Sequence, residues 1–392
     1  GVRGDGRFRV QELRMVNSIG PASLHNQMAM LGGCVGLFRN ASSNGTTAYA
    51  RQLSQQGYRR VRTRKTRMGG IPLSMWCREK GIVGDIEDGE RGAEGFLSLF
   101  HAAKRRGYVT WFGEEFCTRD SPWVVQGNLF STDPIDYQFD RLYCRLPPPE
   151  GSCVVGQFRH GLPLQSIEKL WDAYPDAPKL AFASSIPAHY FTPHWDELAV
   201  DAEGMDAALE GFLGRMLARA DMDNTLVVLR GDHGLQLEGQ VADYSTQVEQ
   251  KRPVTYVVSP RDWVQPVRRL GRKFGNAVEE DALSVNADRL VTGFDLHRTL
   301  LRVIEGGGAA PMDGPGALPT AAPWAVDVLG GAVPAERTCA DANIPMDFCA
   351  CVNEYAHVDG LRGDAGTPHA PRGGVCNFLT ALGLPHCVAP EL

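Results

Sequence analysis

The sequence predicts an α/β fold with a parallel-rich sheet and helices on both faces. Segments with helical periodicity alternate with short apolar runs through the middle of the chain, and this alternation is typical of parallel sheets. The 392-residue chain is 43% hydrophobic and 22% charged, so it can bury a large core. Its length also predicts a smaller appendage beside the main domain.

The predicted elements follow from apolar spacing, which recurs every three or four residues in a helix and is uninterrupted in a buried strand. In chain order they are a helix over 95–106, a strand over 108–112, a helix over 164–174, a strand over 178–183, a helix over 205–217, a strand over 225–229, a strand over 253–258 and a helix over 294–304. Gly107 separates the first helix from the strand that follows it.

Composition divides the chain into three parts. We predict a main domain over 1–305, a Gly/Ala/Pro-rich linker over 306–334 and a Cys-rich extension over 335–392, which holds five of the ten cysteines. The even, dispersed cysteines favour disulfides over a zinc knuckle, because Cys349 and Cys351 lack the Cys-x-x-Cys spacing. Disulfides predict an oxidising location, either extracellular or in the secretory lumen.

The charge pattern restricts the partners. A net charge of -6 and a single short basic cluster argue against a nucleic-acid partner. The sequence contains no signal peptide and no apolar span long enough to cross a bilayer. Because the chain starts on Gly1 rather than Met, a leader or membrane anchor upstream of it stays open.

Asp232 and His233 directly follow the apolar run over 225–229. Such a run is typical of a strand buried on both faces, and open α/β sheets bind ligands at the carboxyl ends of their strands. We therefore predict a metal site here, with a strand ending in a polar turn as the alternative. An imidazole beside a carboxylate favours Zn or Mn over Ca, which prefers oxygen ligands.

Ser23 follows a Gly/Pro turn and opens a predicted short helix. The free N–H groups and positive dipole end of that helix would stabilise an anionic substrate and help to activate the hydroxyl. Ser23 is therefore a candidate nucleophile. The alternative is a serine that only caps the helix, since Ser is a preferred N-cap residue.

Several phrases carry a family resemblance. Gly20-x-x-Ser23-x-x-Asn26 with Leu31 and Gly33 is similar to the nucleophile segment of the alkaline phosphatase superfamily, and Asp232-His233-Gly234 to its metal-binding Asp-His. In more detail, the chain resembles the sulfatase-like family catalogued as domain of unknown function 229. That resemblance rests on phrases in the same order as in the family: Gly107-Tyr108-Val109-Thr110 followed by Glu114, Asn224-Thr225-Leu226-Val227, the run from Asn286 to Leu300, and Cys339 followed by Cys349-x-Cys351. It covers about Asn17 to Cys351.

The resemblance implies roles for particular residues. Ser23 would be the nucleophile, and Asp232 and His233 would be metal ligands. Asn26 would bind substrate or a second metal, and so would residues of the loop after the strand over 178–183, namely His189, His194 and Asp196. The alignment leaves open which histidine takes the role, and a structural role for this loop has equal weight. The loop would share its sheet edge with Asp232.

The departures from the family pattern shape the functional prediction. His25 stands where the family has Pro, Glu115 where it commonly has Asp, and the residues after Ser23 lack the Pro and Arg of a formylglycine motif, so phosphoester chemistry is favoured over sulfate-ester hydrolysis. The superfamily's first metal-binding acid ends a strand upstream of the nucleophile. No such strand is predicted before Asn17, and we therefore expect an N-terminal truncation and an incomplete metal site.

The sequence thus predicts hydrolysis or transfer of a phosphoester on a small-molecule, glycan or lipid-linked substrate. The alternative is a non-catalytic extracellular or lumenal module that retains the fold. Two polar groups are predicted to be structural: Glu114 and Glu115 as an exposed loop pair, and His297 as a packing or capping residue.

Overall fold

The computed structural model describes part of the chain, in two compact units. The described residues are 6–20, 23–33, 58–60, 98–115, 117–118, 121–122, 134–139, 153–154, 157–187, 195–234, 244–270, 277–306, 321–345, 348–350 and 355–357. Unit 1 comprises Gly1–Arg7, Arg78–Thr225 and Leu300–Thr320, and unit 2 comprises Phe8–Cys77, Leu226–Thr299 and Ala321–Leu392.

Helices and strands alternate along the described residues. The helices are α1 (Ser23–Gly32), α2 (Leu99–Arg105), α3 (Leu162–Ala173), α4 (Trp195–Leu217), α5 (Tyr244–Lys251), α6 (Ala282–Asn286) and α7 (Gly293–Ile304). The strands are β1 (Phe8–Glu12), β2 (Val16–Asn17), β3 (Tyr58–Arg60), β4 (Val109–Glu114), β5 (Cys117–Thr118), β6 (Ser121–Pro122), β7 (Tyr137–Gln138), β8 (Cys153–Val154), β9 (Gln157–Phe158), β10 (Lys179–Ser184), β11 (Val227–Arg230), β12 (Thr255–Pro260), β13 (Pro266–Leu270), β14 (Ala277–Asp281), β15 (Val291–Thr292) and β16 (Tyr355–His357).

Unit 1 is built around the parallel sheet β10-β4-β7. Its central strand β4 buries Phe112, whose ring stacks on Phe182 of β10 at a centroid distance of 5.5 Å and meets Phe100 of α2 edge-on at 6.0 Å. The cluster of Leu99, Ala102, Ala103, Leu301 and Ile304 adds to this core. Helices and strands mixed with parallel pairing confirm the predicted α/β class.

Unit 2 contains an antiparallel sheet, β1-β12-β11, and a parallel pair, β2 with β15. Strand β11 is half-buried, and its described hydrogen-bond partner is β12. The prediction of a strand buried on both faces of a parallel sheet is therefore wrong. Strand β10, which was expected to share its sheet edge with Asp232, pairs with β4 within unit 1. An apolar run in the sequence indicates that a strand is buried. It does not indicate which strand will pair with it, because that depends on residues distant in the chain.

Two strands, β1 and β2, occupy the region before α1, so the prediction that no strand precedes Asn17 is also wrong. The sequence of β1 lacks a clear alternation of buried apolar and exposed polar residues. Arg9 and Gln11 lie on one side of the strand, and Val10 on the other side is 40% exposed. Arg9 bonds to Gln11 and to Ser284.

Residues 321–345 pack into the core of unit 2, including the described part of the predicted linker. Ala322, Val328 and Leu329 are fully buried there. Arg337 donates to the buried carboxylate of Asp295 at 2.9 Å, an ion pair whose side chains are 3% and 0% exposed. Burial of this kind explains why a stretch of small and apolar residues is ordered, although its composition indicated a linker.

Cys339 and Cys349, two of the ten cysteines for which disulfides were predicted, are joined in a disulfide, and Cys351 lies outside the described residues. The second cysteine lies beside the end of β2. There the Asn17 side chain donates to the carbonyl of Phe348 at 2.7 Å and accepts from the N–H of Ala350 at 3.0 Å. The disulfide therefore holds the segment that supports the chain just before α1.

Candidate functional site

The turn that leads into α1 is fixed by Asn26. Its amide oxygen accepts from the N–H of Ile19 at 2.8 Å, and its amide nitrogen donates to the carbonyl of Gly20 at 2.9 Å. The side chain is only 1% exposed. The turn therefore engages both polar atoms of Asn26, which differs from the substrate-binding or metal-binding role implied by the resemblance. We assign it the positioning of Ser23, the first residue of α1.

Gly20 is required in the same turn by the close approach of His25. A Cβ atom on Gly20 would lie 2.6 Å from the Cβ of His25, well inside the contact distance of two carbon atoms. The residue that departs from the family pattern is thus packed against the glycine of the turn.

His233 is held by its neighbours in one tautomer. Its Nδ1 lies 2.8 Å from the carbonyl oxygen of Gly234, and a carbonyl only accepts, so Nδ1 carries the proton. The Nε2 atom of the neutral ring is therefore left with its lone pair. The backbone N–H of His233 donates to Oδ1 of Asp232 at 2.9 Å, and Oδ2 is the carboxylate oxygen that approaches the imidazole.

Ser23, Asp232 and His233 converge in unit 2 although Ser23 and His233 are 210 residues apart in the chain. The Ser23 Oγ lies 3.4 Å from His233 Nε2, and the same nitrogen lies 3.4 Å from Asp232 Oδ2. The His233 side chain is 13% exposed and that of Asp232 is 33% exposed. Both spacings exceed ordinary hydrogen-bond lengths of about 2.7–3.2 Å.

The donor set fits a small divalent cation. Bonds of about 2.0–2.1 Å in a tetrahedral site place neighbouring ligand atoms about 3.3–3.4 Å apart. The two 3.4 Å spacings around His233 Nε2 match that value. A metal-binding histidine also donates its other N–H to a carbonyl or carboxylate, as Nδ1 of His233 does here.

The protein ligands are few, however. Among the residues that the structure describes, no three His, Cys, Asp or Glu side chains gather where they could hold a metal ion. Glu12, the acid that ends β1, therefore does not complete a trio with Asp232 and His233. The third donor beside them is the hydroxyl of Ser23, which is also the candidate nucleophile.

Close packing against α5 explains why the Asp232-His233 motif ends on Gly234. A Cβ atom there would lie 2.2 Å from the carbonyl oxygen of Glu249, at the end of α5, and something would have to shift. The Gly234 N–H donates to the carbonyl of Gln250 at 2.9 Å. The close contact and the hydrogen bond together pin the loop that carries Asp232 and His233 against α5.

Arg230 is a charged residue at this site that sequence reasoning missed. It ends β11, two residues before Asp232, and the Nε and Nη2 atoms of its guanidinium are buried. Burial lowers the pKa of Arg230 to about 10, while the negative charges of Asp232 and Asp295 act in the opposite direction. A charged residue at the end of an apolar strand was the available signal.

Glu115 and His160 form a buried pair in unit 1, at the carboxyl end of β4. The carboxylate accepts from His160 Nδ1 at 2.7 Å and from the N–H of Ile186 at 2.8 Å. His160 Nε2 lies 3.7 Å from Oδ2 of Asp201 in α4. Glu114 and Glu115 are each only 2% exposed, so the prediction of an exposed loop pair is wrong. Their burial depends on partners distant in sequence, which a local pattern does not reveal.

The other predicted site residues are less fully placed. His189 and His194 lie outside the described residues. Asp196 lies in the first turn of α4, where the backbone alone is described. The roles implied for these three residues stay predictions.

His297 serves as a capping residue, as the sequence indicated. Its Nδ1 lies 3.0 Å from the carbonyl oxygen of Met30, near the end of α1. Burial lowers the pKa of His297 to about 4, so the ring is neutral near pH 7. The ring also fills the space over Gly33, where a Cβ atom would lie 2.6 Å from it.

The family described as protein of unknown function (DUF229) matches residues 8–359. No curated protein matches the chain. Within the described residues, we find no helix of the length and apolar character that a membrane crossing needs. Because the family match spans most of the 392 residues, the chain belongs to this sulfatase-like family of the alkaline phosphatase superfamily.

Proposed function

We propose that the chain carries a metal-dependent phosphoester hydrolase or phosphotransferase site, with Ser23 as nucleophile and Asp232 and His233 as metal ligands. The observation that supports this best is the meeting of Ser23 Oγ, His233 Nε2 and Asp232 Oδ2 at spacings of 3.4 Å around the imidazole nitrogen. These are donor types that Zn or Mn accepts, whereas Ca prefers oxygen ligands alone.

The side chains have distinct roles in this proposal. A bound divalent cation would lower the pKa of the Ser23 hydroxyl and absorb negative charge on the transferred group. Ser23 Oγ forms a bond to phosphorus while the bond to the leaving oxygen breaks, and water or an acceptor alcohol later releases the phosphoryl group from the serine. Asp232 contributes negative charge, and His233 offers a lone pair at Nε2. The N-terminus of α1 favours the developing anion.

The substrate is proposed at the level of its chemistry. Phosphoesters are favoured over sulfate esters because the residues after Ser23 lack the formylglycine context. The substrate is a small-molecule, glycan or lipid-linked ester. The ten cysteines favour an extracellular or lumenal location for the reaction. In this proposal His189, His194 and Asp196 bind substrate oxygen or a second metal.

A non-catalytic module is the second candidate. The observation that favours it is the small number of metal ligands, since the described residues bring only two acid or imidazole side chains to Ser23. A protein that retained the fold and lost its metal would show this pattern. Metal binding and turnover by the full chain decide between the two candidates.

The experiment measures hydrolysis of an aryl phosphate, an aryl phosphodiester and an aryl sulfate by the full chain with Zn or Mn. We expect phosphoester turnover that falls about a hundredfold or more in Ser23→Ala, Asp232→Ala and His233→Ala. Asp223→Ala is the matched control, because Asp223 is exposed and pairs with Arg7 in unit 1. No turnover of any ester with metal present, or unchanged turnover in Ser23→Ala, would refute the proposal.

A further inference from the structure

Asn17, the last residue of β2, uses both ends of its buried amide to join two distant parts of the chain. Its nitrogen donates to the carbonyl of Phe348 at 2.7 Å and to the carbonyl of Ser18 at 2.6 Å. Its oxygen accepts from the N–H of Ala350 at 3.0 Å. Asn17 is only 1% exposed, and hydrogen bonds are electrostatically stronger where water is excluded. The amide therefore ties residues 348–350 to the backbone that leads into α1.

A second set of hydrogen bonds carries this support to the helix that begins at Ser23. The N–H of Ser18 donates to the carbonyl of Lys251, the last residue of α5, at 2.7 Å. The N–H of Ile19, the next residue along the chain, donates to the side chain of Asn26 in α1 at 2.8 Å. Because both backbone groups of Ser18 are bonded, its orientation is fixed. That orientation sets where Ile19 meets Asn26, and with it the start of α1.

The disulfide Cys339–Cys349 holds residues 348–350 from the other side. Cys349 lies between the two residues that bond to Asn17. Cys339 follows Arg337 by two residues, and the buried ion pair of Arg337 anchors this part of the chain in the core of unit 2. The disulfide therefore fastens the segment that bonds to Asn17 to an ordered part of the same unit.

We propose that Asn17 is a positioning residue for Ser23, and that it acts only while Cys339 and Cys349 are joined. The proposal rests on the proposed function, because the group that is positioned is the hydroxyl that attacks phosphorus. Asn17 acts through the turn before α1 and not on the substrate. Misplacement of a reacting group by about 1 Å can cost about a hundredfold in rate, so a loosened turn lowers turnover even where the metal ligands keep their places.

The disulfide makes this positioning depend on the compartment in which the chain matures. It forms by thiol–disulfide exchange, in which each thiol loses one proton and two electrons pass to a small-molecule disulfide that leaves as two thiols. Cys339 and Cys349 are only 6% and 3% exposed, so exchange in the folded chain requires the segment to open. The bond is therefore made during folding in an oxidising location, and the nucleophile is set in place there.

The test compares Asn17→Leu with Asn286→Leu in the full chain. Leucine is close to asparagine in shape and removes its hydrogen bonds. Asn286 is the matched control because its buried amide also makes three bonds to the backbone. It donates to the carbonyls of Val328 and Gly331 and accepts from the N–H of Val333, none of which belongs to the turn before α1. Both variants should therefore lose stability to a similar extent.

Turnover of an aryl phosphate with Zn separates the two variants. We expect kcat to fall about 10- to 100-fold in Asn17→Leu while KM and Zn affinity change less than about threefold, because α5 pins the loop of the metal ligands. Asn286→Leu should keep kcat within about threefold of the parent chain. An equal kcat in Asn17→Leu and Asn286→Leu would overturn the proposal.

Cys349→Ser tests whether Asn17 acts through the disulfide-held segment. This variant should repeat the loss of kcat. The double variant with Asn17→Leu should be no slower than the slower single variant, because both changes remove the same support. Losses that multiply in the double variant would show two independent effects and would contradict the proposal.

Hydrogen exchange tests the same coupling without turnover. Relative to the amides of β12, those of Ser18 and Ile19 should exchange at least about tenfold faster in Asn17→Leu and Cys349→Ser than in the parent chain, and at the parent rate in Asn286→Leu. Faster exchange in a chain that hydrolyses no ester would mean that the proposed function fails and the coupling stands. Unchanged exchange would overturn the coupling, and Cys349→Ser decides this alone if Asn17→Leu does not fold.

Discussion

Replacing Gly234 with alanine perturbs the candidate site through packing alone. The added Cβ would lie 2.2 Å from the carbonyl oxygen of Glu249 and 2.8 Å from the Cα of Gln250. Both are backbone atoms, so the loop after β11 must move by about 1 Å to reach ordinary contact distances. Overpacking of this kind costs about 1–3 kcal/mol. The same movement displaces Asp232 and His233, and we expect Zn affinity to fall about 10- to 100-fold.

Gly214→Ala is the matched control for this change. Gly214 lies inside α4, and a Cβ atom there would have no neighbour within 4 Å. Alanine is the better helix former, so the control should gain about 0.5–1 kcal/mol. Urea denaturation measures the two free energies of unfolding, and calorimetric Zn titration measures the affinities. A Gly234→Ala protein that is as stable as the parent chain and binds Zn equally well would refute the packing argument.

Three further predictions concern stability. Arg337→Ala should lower the free energy of unfolding by about 3–5 kcal/mol, because it leaves the buried carboxylate of Asp295 unpaired, while Arg215→Ala at an exposed pair should cost less than about 1 kcal/mol in the same denaturation assay. Cys349→Ser opens a loop with a sequence separation of 10 and should cost about 2–3 kcal/mol; equal urea midpoints for the variant and the parent chain under oxidising conditions would contradict this. The pKa of His297 is lowered to about 4, so the unfolded chain binds the proton first as pH falls. Stability should therefore decline from about pH 6.5 to about pH 4, by up to about 1.4 kcal/mol per pH unit, and His297→Gln should lose this component of the thermal-denaturation profile.

Local pattern predicted the individual elements well. The helix predicted over 164–174 is α3 (Leu162–Ala173), the strand predicted over 178–183 is β10 (Lys179–Ser184), and the helix predicted over 294–304 is α7 (Gly293–Ile304). Each of these elements buries an apolar face or run within its own length, so its periodicity is present in the sequence. The partner of a strand is not visible in the strand's own sequence. Strand β11 pairs antiparallel with β12, although its composition was typical of a parallel strand.

The candidate site shows the same division. Ser23 and the Asp232-His233 pair each carry a local signal, a serine that opens a helix and a polar pair that ends a strand. The structure brings Ser23 and His233 to 3.4 Å. Asn26 has the right place in the motif, but its bonds to Ile19 and Gly20 depend on how the turn folds. Burial of Glu115 depends on residues far away in the chain, so no local pattern could have indicated it.

The most direct test of the metal site is anomalous diffraction at the Zn edge from crystals of the full chain soaked with Zn. We predict a peak about 2.0–2.2 Å from both His233 Nε2 and Asp232 Oδ2, with Ser23 Oγ beside it. A well-ordered Asp232-His233 pair with no anomalous peak beside it at saturating Zn would contradict the proposed metal site and favour the non-catalytic module.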